Sequence, residues 1–189
     1  MTAPNICVLA TGGTIAGAAG DAIRHDYRPG QLGIEELLDR VRALGIPATL
    51  TGTQIANIGS EDMSPAIWAA LHREASAAMD NPECDGVIIT HGTATVEETA
   101  FLLDLTLPTT KPVVLVGAMR PADAVGYDGL RNFANALQVM RSPEASGRGV
   151  LVVMGDKELA ARDVRVPPTP PTAALPKVSE SAHAGLGRV

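Results

Sequence analysis

Thr14 follows two glycines at the end of an apolar run, Asn5-Ile6-Cys7-Val8-Leu9-Ala10-Thr11-Gly12-Gly13-Thr14-Ile15. Ile6 to Leu9 read as a buried strand. Gly12 and Gly13 allow a sharp turn and a close approach of main chain to ligand. Thr14 is then expected at the carboxyl end of the first strand, where open α/β sheets bind ligands. A hydroxyl there is a candidate nucleophile. On this stretch alone, an ordinary strand-to-loop turn that happens to hold a threonine is the better reading.

Two more apolar runs shift that balance. Val87-Ile88-Ile89-Thr90 leads into His91-Gly92-Thr93-Ala94-Thr95, and Val113-Val114-Leu115-Val116 leads into Gly117-Ala118-Met119-Arg120. In a parallel sheet the three ends share one edge, and that edge carries Thr14, Thr93 and Arg120. Tyr27 is one of only two tyrosines. It lies in a glycine-rich, polar stretch, Ala16 to Gln31, that reads as a long loop. Such loops often act as active-site lids, and a tyrosine there could bring its phenol to a nucleophile.

Other chemistries fit the residues less well. Gly12, Gly13, Gly17 and Gly20 do not make the G-x-G-x-x-G spacing, and no G-K-[ST] occurs. No cluster has metal-ligand spacing, and no cofactor is expected. His91 is the only histidine beside the expected site, and without a G-x-S-x-G motif a serine triad cannot be assembled. Cys7 and Cys84 form no C-x-x-C pair and read as buried thiols. A net charge of −6 argues against a nucleic-acid or anionic-membrane surface. Aromatic residues make up 3% of the chain, which disfavours base stacking. No stretch approaches the ~20 apolar residues that span a bilayer. No Lys or Arg precedes Arg24, so a signal peptide is not indicated. A cytoplasmic protein is expected.

The elements that must position these residues follow from pattern. The 189 residues, 46% hydrophobic, suffice for one good-sized core. Ile34, Leu37, Leu38, Val41 and Leu44 recur at helical spacing, with Gly45 as the terminating residue. Pro47 to Ile58 is strand-like and ends at Gly59-Ser60-Glu61-Asp62-Met63. Ser64-Pro65 opens a helix to about Met79, with serine as cap and proline at the first helical position. Ile67, Leu71, Ala75 and Ala78 share its stripe, and His72 on this helix reads as a surface or packing residue. A further helix is expected from about Glu97 to Leu105, and another from Gly129 to Met140 capped by Asp128. Gly149 to Met154 is one more buried strand. The alternation of strands and helices predicts an α/β doubly wound parallel sheet with flanking helices. The body is expected over residues 1–165. Five prolines between Pro167 and Pro176 mark residues 166–189 as a linker or tail.

Several stretches together resemble the bacterial-type L-asparaginase/glutaminase family of threonine amidohydrolases. They are Leu9 to Gly17, Asn57 to Met63, Ile89 to Ala100, Val116 to Pro121 and Gly149 to Met154. They fall in the family's order and cover about Asn5 to Val164, the extent of its N-terminal domain. The resemblance implies a flavodoxin-like fold and hydrolysis of a side-chain amide, without cofactor. It implies that Thr14 is the nucleophile, that Tyr27 assists from a mobile lid, and that Thr93 is a second catalytic threonine. Ser60 and Glu61 would hold the α-carboxylate and α-amino groups of a small amino-acid substrate. Gly59, Gly92 and Ala118 fall among the substrate-binding positions. A homo-oligomer is implied too, because in the family a neighbouring subunit's C-terminal domain completes the site.

The chain departs from the family's pattern in three places. Ala94 stands where the family has an aspartate that contacts the substrate ammonium. Val166 takes the place of a lysine, and neighbouring Arg165 cannot serve as a base because guanidinium does not deprotonate. The sequence ends at Val189, so the C-terminal domain is expected to be missing, leaving apolar surface exposed. Two readings follow: an amidohydrolase built on Thr14 and Tyr27, or an impaired remnant or amino-acid-binding module of the same ancestry.

Overall fold

The computed structural model describes residues 3–18 and 28–165. Six strands form one sheet in the order β2-β1-β3-β4-β5-β6. They are β1 (Asn5–Gly12), β2 (Thr49–Ile58), β3 (Gly86–Thr90), β4 (Val113–Val116), β5 (Val150–Met154) and β6 (Lys157–Ala160). The first five run parallel. The sheet is therefore mixed rather than all parallel, because β6 turns back through Gly155-Asp156 and pairs antiparallel with β5. β6 was not anticipated: Lys-Glu-Leu-Ala is short and polar, as an edge strand is, and its periodicity signals nothing.

The central strands are apolar without alternation because both sheet faces are covered. Helices α1 (Ile34–Arg42) and α4 (Gly129–Arg141) bury Leu38, Val41, Phe133, Ala136 and Leu137 against Ile6, Val8, Val114 and Leu151. Helices α2 (Pro65–Asp80) and α3 (Val96–Thr106) bury Leu71, Ala75, Ala100 and Leu103 against Leu9, Val87, Ile89 and Leu115 on the other face. Residues of β1 and β3 thus alternate between two cores. This is the doubly wound arrangement, and β2-β1-β3-β4-β5 is the flavodoxin-like strand order.

Local signals placed most helix ends. The Ser64 hydroxyl accepts from the Ile67 amide at 3.4 Å, with Pro65 opening α2. The first helix stops at Arg42, and Gly45 adopts φ +69° just beyond it. Leu44, placed on the buried stripe by its spacing, is instead 43% exposed. Cys84 is buried, whereas Cys7 is only half-buried. Among the described residues no helix is long and apolar enough to cross a membrane. The proline-rich stretch from Val166 lies outside the described residues.

Candidate active site

The chain leaves β1 toward β2 on one side and returns to β3 on the other. The point where the winding reverses therefore lies between the carboxyl ends of β1 and β3, the place where ligands bind such sheets. A 3-10 turn, Thr14–Ala16, follows β1, and a second, Thr93–Thr95, follows β3. A third, Ser60–Asp62, follows β2. Thr14 is buried, Thr93 half-buried and Ser60 buried. The first and third of these turns close on themselves: Ala16 N donates to Gly13 O at 3.2 Å and Gly17 N to Thr14 O at 2.9 Å, and Asp62 N donates to Gly59 O at 3.0 Å.

Close main-chain approach joins the turn after β1 to the other two, and the Ser60 and Thr95 hydroxyls join those two to each other. Gly13 takes φ +77°, and a Cβ there would sit 2.5 Å from the Gly92 Cα. Gly12, at φ +103°, lies as tightly against the Ile58 main chain, and Gly13 N donates to Ile58 O at 2.8 Å. A Cβ on Gly92 would meet the Ser60 hydroxyl at 2.5 Å. That hydroxyl accepts from the Ala94 amide at 3.0 Å, and Thr95 Oγ1 donates to the Ser60 carbonyl at 2.8 Å. Glu61 is exposed, and its carboxyl group folds over Gly59, whose added Cβ would meet Cδ at 2.6 Å. Ala118 is 1% exposed and its methyl belongs to the core on the α1/α4 side, so only its main chain faces the sheet edge.

His91 is excluded as a base by its bonds. Trp68 Nε1, a pure donor, gives to Thr99 Oγ1 at 2.8 Å. The Gly92 carbonyl can only accept, so His91 Nδ1–H donates to it at 2.7 Å, and Nε2 of the neutral ring accepts from the Thr99 hydroxyl at 2.9 Å. One chain of donors thus runs from α2 through α3 into the turn beside Gly13. Burial holds the imidazole below the usual histidine range, opposed by its bond to the Gly92 carbonyl and by Glu98. The unfolded histidine titrates near ~6.5. Below that pH the unfolded chain binds a proton that the folded chain refuses, so His91 contributes stability above pH ~6.5 that is lost as pH falls. Denaturant midpoints between about pH 7.5 and 5.5 are expected to fall in the parent and to fall less in His91→Gln, which keeps a donor and an acceptor. Equal slopes would count against a buried neutral imidazole.

Other residues of the sheet edge are disposed differently from expectation. Arg120 does not join Thr14 and Thr93: its guanidinium turns back to the Val125 carbonyl at 3.0 Å, and the side chain is exposed. Asp128 does not cap α4 with its side chain. Its carboxylate instead accepts from the Met119 and Arg120 amides at 3.0–3.1 Å and from Asn132 Nδ2 at 3.2 Å. Asn132 also donates to Gly117 O at 2.9 Å and accepts from Gly155 N at 3.1 Å, so it fastens the ends of β4 and β5. Tyr27 lies outside the described residues. The bridge between Ala18 and Arg28 closes the base of its loop beside the Thr14 turn. Burial and its neighbour Cys84 push the Cys7 thiol up to about 12. Among the described residues, no group of three or more His, Cys, Asp or Glu side chains is placed to hold a metal ion.

The chain resembles known proteins in sequence and shape. The family described as "Asparaginase, N-terminal" matches residues 5–184. The chain is 48% identical over 161 residues to the probable periplasmic L-asparaginase of Haemophilus influenzae, covering 85% of this chain and 46% of that protein. It is 46% identical over 164 residues to L-asparaginase 2 of Escherichia coli, covering 87% and 47%. The crystal structure of a probable cytoplasmic L-asparaginase from Campylobacter jejuni superposes with a TM-score of 0.80 at 42% identity, over 86% of this chain and 50% of that one. The chain thus spans about half the length of the curated relatives it matches. With the profile covering nearly all of its length and the strand order and turns just described, the chain belongs to the asparaginase family and corresponds to its N-terminal domain.

Proposed function

We propose that this chain forms the Thr14-bearing part of an amidohydrolase that converts L-asparagine to L-aspartate and ammonia. One observation carries the reading: the Thr14 turn and the Gly92-Thr93 turn meet through Gly13 and Gly92 at the reversal point of the sheet. Thr14 Oγ attacks the side-chain amide carbon, and its proton passes to a base. The amide nitrogen takes up a proton and leaves as ammonia, and water then releases aspartate from the acyl-enzyme. Such a hydroxyl is a poor nucleophile until a base is positioned beside it. The oxyanion is held by donors that the close-packed main chain can supply. Tyr27 assists the nucleophile in this reading and Thr93 acts as the second threonine. Ser60 and Glu61 hold the amino-acid head group, and Gly59, Gly92 and Ala118 line the site through their main chain. Residues 1–165 are the working body and 166–189 a linker or tail.

Ammonia release from L-asparagine by the purified protein, with Thr14→Ala in parallel, tests this. Release that persists in the variant, or no release from the parent, overturns the reading. Ala94 favours a second reading, a binding module or impaired remnant, because a methyl stands where the family has a carboxylate. The Ala94 side chain is exposed and its amide is already bonded to Ser60, so a carboxylate can be added without moving the turn. A bond to a charged group is worth ~1.5–3 kcal/mol, so Ala94→Asp is expected to raise kcat/KM by about 10- to 100-fold. An unchanged rate in that variant would show that Ala94 is not what limits the site.

Self-association is part of the same reading, supported by Phe101 and Leu105, 47% and 68% exposed one turn apart on α3. A monodisperse monomer in sedimentation would contradict it. Location in the cytoplasm rests on the likeness to the Campylobacter jejuni protein, described as cytoplasmic. The Haemophilus influenzae relative is described as periplasmic, and fractionation of the source cells decides between the two.

A further inference from the structure

The loop between β4 and α4 grips the Thr14 turn from its far side. Tyr127 Oη donates to the Ile15 carbonyl at 2.7 Å across 112 residues of sequence. Five residues earlier, Ala122 N donates to Gly17 O at 2.8 Å. The loop is itself restrained. Arg40 Nη1 on α1 donates to Ala122 O at 3.3 Å, Tyr127 N donates to Ala124 O at 3.1 Å, and the Asp128 carboxylate gathers the Met119 and Arg120 amides. The Tyr127 ring lies directly over Gly129, where any Cβ would collide with it. The ring is half-buried, packed on the α1/α4 core. Burial raises the phenol above the usual tyrosine range, so it stays a proton donor throughout the neutral range. Within the 3-10 turn Ala16 N donates to Gly13 O and Gly17 N to Thr14 O, and from the other side Gly30 N donates to Gly13 O and Gln31 N and Leu32 N to Ala16 O. The hydrogen-bond geometry of such a turn is poorer than that of an α-helix, so a bond to the Ile15 carbonyl bears on how it is held.

We infer that Tyr127 is a positioning residue: its hydroxyl holds the Ile15 carbonyl and thereby sets where the adjacent Thr14 hydroxyl points. The inference rests on the reading of Thr14 as nucleophile. Tyr127 touches no reacting atom; it acts through the main chain of the turn.

Tyr127→Phe removes the hydroxyl and keeps the ring. Amide exchange at Ala16 and Gly17 is expected to quicken by about 2- to 10-fold, the worth of one hydrogen bond, with Ile88 and Ile89 unchanged. If Thr14 is the nucleophile, kcat for ammonia release falls by about 10-fold or more, as for a displaced reacting group, while KM stays within twofold. Gly129→Ala, whose Cβ would run into the Tyr127 hydroxyl and ring and so displace the phenol from the Ile15 carbonyl, is expected to reproduce both effects. Unchanged exchange at Ala16 and Gly17 in Tyr127→Phe overturns the inference, as does quickened exchange with kcat intact. A parent without ammonia release, but with quickened exchange in both variants, sinks the reading of Thr14 while upholding Tyr127 as the anchor of the turn.

Discussion

Thr14→Ala is expected to lower ammonia release from L-asparagine by at least about 10³-fold, the loss typical of a deleted nucleophile. The effect should be separable from folding. The turn that carries Thr14 is closed by main-chain bonds from Ala16 and Gly17, which alanine preserves. Thr14 is a small buried side chain, 7% exposed, so its truncation costs about 1 kcal/mol or so of packing. Circular dichroism and the denaturant midpoint should therefore stay close to the parent's while the rate collapses. Thr14→Ser restores an oxygen without the methyl and is expected to recover part of the rate. Rate loss in both variants together with a large drop in midpoint would mean that Thr14 is structural. A rate unchanged in Thr14→Ala would move the nucleophile elsewhere, and Thr93 would be the next residue to replace.

The second large effect falls on stability. Gly13→Ala is expected to cost about 3–5 kcal/mol, out of the ~5–15 kcal/mol that separates folded from unfolded domains. Two terms add. At φ +77° an L-residue is strained, by about 1–2 kcal/mol. The new Cβ would also run into the main chain of Gly92 and His91. Neither partner can yield cheaply, because His91 is fixed from behind by Thr99 and Trp68 and Gly92 is backed by Ser60. The loss should appear in the denaturant midpoint and, below it, as faster amide exchange through the turns after β1 and β3. Gly33→Ala is the control. Gly33 has φ −69° and nothing within 4 Å of an added Cβ, so only a cap preference of about 1 kcal/mol or less is at stake. Equal costs at the two positions would mean that the contact between Gly13 and Gly92 does not organise the site.

These two variants also mark how far the residues could be read before the fold was known. β1, β3 and β4 were legible because strands buried on both faces are unbroken apolar runs. The start of α2 was legible because a serine cap and a following proline act within one turn. The Gly12-Gly13 pair was legible as a turn, since left-handed φ is a property of the residue itself. Its reason was not: the atoms that forbid a side chain at Gly13 belong to Gly92, 79 residues away. The resemblance named Thr14, Ser60 and Thr93, and the sheet brings the turns that carry them to one edge.

Local patterns thus carried the five parallel strands, the four helices and the turns that end the central strands. All of these come from signals confined to a few neighbouring residues. Tertiary structure decided the partners. Asp128 left its expected cap for the Met119 and Arg120 amides. Arg120 folded onto its own loop rather than toward Thr14. His91 spent both ring nitrogens on Thr99 and Gly92. Tyr127, which no local pattern singled out, reached Ile15. β6 found its place only beside β5. For Asp128, His91 and Tyr127 the physical reason is the same. A buried polar group must be hydrogen-bonded, and which donor or acceptor lies within 3 Å or so depends on strand order and register, which no short window of sequence contains.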